Sequence, residues 1–487
     1  MLSGAEWKEN CYLIWPEKAD APQQAAAVSW SDWLVFFDAS SGVPGVRFIL
    51  NEMASSGIRE VWWRTFGGGH ALYPSKVPGV TRGNYSGQGA DFSKFDSLKE
   101  AVSYGHKLGL KVYAWFTPLE EAHAVPDAVR SFYIDNHPEF KDRNMFGAEL
   151  DSLSFFYPEY RNYKAALAKE MLDYGVDGIV LDFERGGSPA LSNFCGYIPD
   201  AVKAFNEKYH QTGIPQPNNL DWVRYRAAWM GDLIKRIAAD AHARKPKADF
   251  GLLYESGKEL SVRCDMPSFA DDPAVDFICA IGKTNRGWGN FADDPAKDKL
   301  AQKKLFANKK GSLALYCLNE SVEKLAAKVA SHRKALDSIV WFETTYLHWR
   351  RSYWVPRQLA LPEEAELSSP TLDFGKGGEV QLTAAGDWSL YFNEQKIAEG
   401  KADHCNILSI PPKQQTGKLR IVCRLPHRSA KGGVALQGFA VKGNGEKKSF
   451  ASDRSWTSPQ GNVLTIGQPG IPPFLAPPDR AVEGKAR

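Results

Sequence analysis

Two carboxylates, Asp182 and Glu184, stand two residues apart in the run Asp177-Gly178-Ile179-Val180-Leu181-Asp182-Phe183-Glu184. If that run is a strand, alternation puts Val180, Asp182 and Glu184 on one face and Ile179, Leu181 and Phe183 on the other. Like charges roughly 7 Å apart, the i to i+2 spacing of a strand, oppose each other's ionisation, so one of the pair favours its protonated form. A protonated carboxyl of this kind can donate to the departing oxygen of a glycosidic bond. Glu184, nearer the strand end, is the expected acid, and Asp182 the group that orients it or stabilises charge. The chemistry needs a further carboxylate, for which Glu255 and Glu343 are the candidates, with Glu120, Glu121 and Asp38 behind them. A retaining enzyme holds its pair about 5 Å apart and an inverting one roughly 6.5–9.5 Å apart; the sequence leaves both open.

A sugar site also needs ring faces and hydrogen-bonding side chains. Trp115, Tyr254, Trp288, Trp341 and Trp349 are the ring candidates near strand ends, with Trp115, Trp288 and Trp349 foremost. Arg64, His70, His123, Arg185, Lys283, Asn285 and His348 are the polar ones. No local spacing signals a metal site, and no cofactor is implied. Gly67-Gly68-Gly69 follows a strand but lacks the G-x-G-x-x-G spacing of a dinucleotide loop.

Eight short β-branched and aromatic runs would position these residues: Trp33–Asp38, Glu60–Thr65, Lys111–Thr117, Gly178–Glu184, Asp249–Glu255, Val275–Lys283, Ser312–Leu318 and Ser338–Thr344. Amphipathic segments such as FDSLKEAVSYGHKLGL and SVEKLAAKVASHRKALD lie between them. Eight strand–helix units predict an α/β (β/α)8 TIM barrel, whose active site forms at the C-terminal strand ends. The long stretches after the second, third and fourth strands would wall a cleft there. Past residue 358 the helical period gives way to Pro, Gly and short alternating strands, which predicts an all-β sandwich over 359–487 behind a barrel over 31–358 and an extension over 1–30.

Composition narrows the partners. Sixty Lys and Arg against 57 Asp and Glu leave a net charge of +3, too balanced for a nucleic-acid surface. No apolar run reaches the ~20 residues of a membrane span. Seven scattered cysteines without C-x-x-C spacing are expected to be buried thiols. The N-terminus has no signal-peptide core, so the chain is expected to be cytoplasmic, or secreted or periplasmic if a leader has been removed. Oligomeric state is not encoded legibly.

Two resemblances extend this reading. The run 177–184 resembles the D-G-x-D-x-D-x-E strand of family-18 chitinases, with Val180 in place of the first aspartate of the triplet and Asp182 and Glu184 on its last two positions. More widely, YPEYRNYKAALAKEMLDYGVDGIVLDFER and FDSLKEAVSYGHKLGLKVYAWFTPLEEAHA resemble the family-10-like glycosyl hydrolases of bacteria over roughly residues 30–350. The C-terminal region, with DWSLYFN and SDRSW, is similar to jelly-roll, galactose-binding-like modules of rhamnosidase-type glycosidases. The resemblances imply a glycosidase acting on a poly- or oligosaccharide. A non-catalytic carbohydrate-binding barrel and a metal-dependent sugar-converting barrel are the alternatives.

Overall fold

The computed structural model describes residues 7–29, 42–80, 84–85, 90–121, 131–183, 194–255, 260–261, 264–281, 310–316, 327, 338–342, 344–349, 352–401, 406–410, 416–426 and 433–469. Eight parallel strands close a barrel: β1 (Gln23–Val28), β2 (Glu60–Arg64), β3 (Lys111–Phe116), β4 (Gly178–Asp182), β5 (Asp249–Glu255), β6 (Phe277–Ile281), β7 (Lys310–Tyr316) and β8 (Ser338–Phe342). Every neighbouring pair is parallel, and β8 joins β1 with Val340 opposite Ala25. Seven of these strands overlap the runs expected from the sequence.

The first does not. Trp33–Asp38, expected as the opening strand, lies outside the described residues, and the barrel is opened by the alanine-rich Gln23–Val28. Its small side chains have a packing reason. Ala25 and Ala27 face the barrel interior with Trp62, Tyr113, Trp115, Phe277 and Phe342, where large rings need small neighbours to interdigitate.

Helices α1 (Val43–Ser55), α2 (Ser97–Leu108), α3 (Pro158–Asp173), α4 (Pro199–Tyr209) and α5 (Leu220–Arg244) follow the strands as crossovers. In α2 the Asp96 side chain accepts from Lys99 N at 3.0 Å, and Gly109, at φ 72°, takes the left-handed conformation that ends the helix. Its buried stripe Leu98, Ala101, Val102, Tyr104 and Leu108 packs on the outer face of the barrel. The segment SVEKLAAKVASHRKALD falls almost wholly outside the described residues. Among the described residues no helix is long and apolar enough to cross a membrane.

Beyond the short helix Trp354–Ala360 come two facing antiparallel sheets. One has four strands, in the order Glu364–Ser368, Leu419–Arg424, Asp387–Phe392, Gln395–Gly400. The expected hairpin DWSLYFNEQKIAEG is present, turning at Asn393 with φ 50°, a conformation that Asn tolerates better than most residues. The other sheet has six strands, and one of them comes from the opposite end of the chain. Leu13–Pro16 pairs antiparallel with both Val434–Val441 and Val463–Gly467. The stretch expected as a 1–30 extension therefore supplies one strand to each domain. Ile14 and Trp15 are buried in the sandwich core, and Trp15 Nε1 donates to Pro362 O at 3.0 Å. The described cysteines, Cys11, Cys195, Cys264, Cys279 and Cys423, are buried free thiols.

Candidate active site

The alternation expected for the fourth strand holds. Val180 belongs to the barrel interior, whereas Ile179, Leu181 and Phe183 join the layer between barrel and helices. Asp182 shares the inward face with Val180 and is fully buried at the C-terminal end of β4. Its Oδ2 accepts the Trp115 Nε1–H at 2.9 Å. Trp115 comes from β3, where Tyr113 and Trp115 point inward and Val112, Ala114 and Phe116 outward. The Trp115 ring is crossed edge-on by Phe342 from β8, at 5.3 Å between centroids, and the Arg64 guanidinium lies 5.6 Å from its centroid.

Arg64 reaches this place because Glu60, Trp62 and Arg64 share the inner face of β2. Its Nη2 meets Glu120 Oε2 at 2.7 Å with both side chains buried, and Thr117 Oγ1 donates to the same carboxylate oxygen at 3.0 Å. Arg64, Trp115, Asp182 and Glu120 thus form one connected polar group where β2, β3 and β4 end. Next to it, Glu121 accepts from Tyr160 Oη at 2.7 Å and pairs with Lys164, whose ammonium sits 4.1 Å from the Phe66 ring centroid. These two charges anchor the segment after β3 to α3. His70 is buried, with Nδ1 2.9 Å from Gly68 O, and burial lowers its pKa by disfavouring the charged ring.

Several site expectations are corrected. Tyr254 and Trp341 are buried in the barrel–helix layer rather than facing a cleft, because Leu253 and Val340, their neighbours in sequence, take the inward positions. Trp341 Nε1 donates to Gln24 Oε1 at 2.9 Å, which ties β8 to β1. His348 sits on the helix Thr344–Trp349 with its ring 6.0 Å from Phe48 of α1, facing the helix layer. Trp115 faces inward but is wholly buried, so it is a wall of the site and not an open platform.

Glu184, Arg185, His123, Lys283, Asn285, Trp288, Glu343 and Asp38 lie outside the described residues, as do the side chains of Glu255 and Trp349. Glu255 closes β5 in register with Ile281. Glu120, which sequence reasoning held behind Glu255 and Glu343, pairs with the binding candidate Arg64, and both are placed at the strand ends among the described residues. At the opposite end of the barrel a cavity of about 160 Å³ is lined by Glu60, Lys111, Tyr113 and Asp249. There Trp62 Nε1 donates to Glu60 at 2.7 Å and burial raises the Glu60 pKa. This is the N-terminal face, where buried groups serve stability.

Residues 46–259, from within α1 to just past β5, match the family described as glycosyl hydrolase-like 10. The chain is similar to glycosyl hydrolase DigH of Escherichia coli K12, at 24% identity over 212 residues, which are 42% of this chain and 45% of that protein. DigH of Shigella flexneri matches to the same extent. The match spans less than half the length of these relatives. Among solved structures, a β-galactosidase from Halorubrum lacusprofundi aligns with a TM-score of 0.48 at 13% identity, covering 66% of this chain and 52% of that one. One from Bacillus circulans sp. alkalophilus aligns at 0.47 and 12%, covering 66% and 50%. The segment that carries Asp182, Glu184 and Glu255 is thus the one that matches the glycosyl hydrolase-like 10 family, similar to the group that the sequence itself resembles.

Proposed function

We propose that the protein is a glycoside hydrolase, cleaving O-glycosidic bonds of a poly- or oligosaccharide with carboxylates at the C-terminal mouth of the barrel. Asp182 carries this reading. A carboxylate wholly buried inside a barrel is costly unless hydrogen bonds hold it, and this one stands at the strand ends where such barrels do chemistry, fixed by the Trp115 N–H. The glycosyl hydrolase-like family match over the same segment supports it.

In the proposed mechanism Glu184 protonates the departing glycosidic oxygen, and Asp182 orients that acid or stabilises charge on the sugar. Glu255 or Glu343 either attacks the anomeric carbon or takes a proton from the attacking water. Arg64, held by Glu120, supplies hydrogen bonds or fixed positive charge beside them. The test is incubation of the wild type and Glu184→Gln with plant, algal and bacterial polysaccharides, products being resolved by chromatography. The wild type is expected to release new reducing ends and Glu184→Gln to release none. Equal release by the two would remove Glu184 from the acid's role. Retention of sugars by the wild type without any products would identify a non-catalytic carbohydrate-binding barrel instead.

A further inference from the structure

A groove of about 960 Å³ opens between the hairpin formed by Lys141–Arg143 with Glu149–Leu153 and one face of α4. Both walls belong to the segments that leave β3 and β4 at the end of the barrel where Asp182 lies. At the hairpin tip Phe146 is 80% exposed, and across the groove Ile214 is 59% exposed. Exposed apolar side chains gathered in a concavity commonly mark a binding surface.

The tip is built, not loose. Asn144 Oδ1 accepts from Phe146 N at 2.9 Å and from Ala148 N at 3.0 Å, while Gly147, at φ 86°, donates to Asn144 O at 3.0 Å. The hairpin is also laced to the segment before α4, with Met145 N donating to Phe194 O at 2.9 Å and Gly196 N to Asp142 Oδ1 at 2.9 Å. The Phe146 backbone is therefore held in place, and the ring's exposure costs little further ordering when a ligand arrives.

The α4 wall shows which ligand suits it. Pro199, Val202, Lys203, Asn206 and Glu207 follow the i, i+3, i+4, i+7, i+8 spacing of a single helical face. The opposite face buries Ala201 and Phe205 against Trp222. A stripe that docks a protein helix is apolar along its length, whereas this one alternates small apolar surface with an amide and one charge of each sign. An apolar floor with a hydrogen-bonding rim of no net charge complements the two sides of a sugar ring, C–H on its face and hydroxyls on its edge.

We infer that this groove is a glycan-docking surface, distinct from the cleavage site, that holds an uncharged stretch of the polysaccharide on the C-terminal side of the barrel. The inference rests on the carbohydrate reading above, and its test separates the two. Affinity electrophoresis of the Glu184→Gln protein in native gels containing hydroxyethylcellulose, xylan, laminarin or glycol chitin is expected to show retardation in at least one gel. Phe146→Ala in that background is expected to weaken the affinity about tenfold at an unchanged Tm, the measure of a lost ring contact. Ile214→Ser provides a second variant on the other wall. No retardation in any gel, or retardation untouched by both substitutions, overturns the docking surface. So does light scattering that shows self-association abolished by Phe146→Ala, which would make the groove a contact between copies. Products from the wild type without Phe146-dependent retardation would leave the hydrolase standing and the groove fallen, and the converse result would reverse them.

Discussion

Trp115 packs edge-to-face with Phe342 and lies beneath the Arg64 guanidinium, while its single side-chain N–H goes to Asp182. Phenylalanine at this position keeps an aromatic ring but leaves Asp182 Oδ2 without that donor. A hydrogen bond to a charged group contributes about 1.5–3 kcal/mol, so Trp115→Phe is expected to lower unfolding stability by about 2 kcal/mol in urea titrations. If Asp182 is oriented by this bond during catalysis, the same change lowers kcat by about tenfold with KM little altered, since each 1.36 kcal/mol is a decade. An equal kcat would limit Trp115 to structure. The inward facing of Asp182 was legible in the sequence because strand alternation is a local rule. The role of Trp115 was not, because whether an inward ring stays open or becomes a wall depends on what β2 and β8 bring against it. Tyr254 and Trp341 were misassigned for a related reason. Strands of a parallel barrel are apolar on both faces, so the pattern within LLY or VWF does not reveal which residue looks inward.

Elements are pinned by groups that the chemistry does not use. Asp177, one residue before β4, donates its backbone N–H to Val112 O at 2.8 Å and accepts from Val112 N at 2.9 Å. Its carboxylate also meets His106 Nε2 at 2.7 Å and Lys245 Nζ at 2.6 Å, which ties β3, β4, α2 and the end of α5 together. Burial pushes this carboxyl's pKa up, but the hydrogen bonds from His106, Lys245 and Val112 outweigh it and hold the pKa well below the usual range. A carboxylate with a depressed folded-state pKa contributes stability above its ordinary value, and that contribution fades as pH falls toward the folded one. Asp177→Asn is therefore expected to be less stable than the wild type at pH 7, with the gap closing below about pH 4. Thermal melts from pH 3 to 8 measure it; a gap independent of pH would assign the loss to packing alone. Most barrel strands could be read from their bulky β-branched and aromatic runs. β1 escaped because Gln-Gln-Ala-Ala-Ala-Val has little strand propensity and owes its place to the large rings opposite it, a tertiary cause that a local window does not contain.

At the scale of the molecule, barrel and sandwich are joined at both ends of the chain. Arg59 Nη1 donates to Thr465 O at 3.3 Å, Thr465 Oγ1 donates to Leu108 O at 2.7 Å, and Gln468 N reaches Asn51 Oδ1 at 3.0 Å. The all-β character of the C-terminal region was legible, but the return of Leu13–Pro16 to the distant sheet was not, since a strand's partner is chosen by topology and not by its own four residues. Removal of residues 1–20 is expected to cost more than about 5 kcal/mol, because it deletes the buried Ile14 and Trp15 from the sandwich core. Soluble yield and Tm of the shortened chain test this; a protein that melts with the wild type would show that the strand is dispensable. The same pairing sets a timetable for synthesis. The strand at Leu13–Pro16 leaves the ribosome some 450 residues before its partner at Val463–Gly467, tens of seconds at ordinary rates of elongation. Throughout that interval its backbone donors and acceptors stand open beside a half-made barrel, so a cell making this protein must shield this strand until its partner arrives.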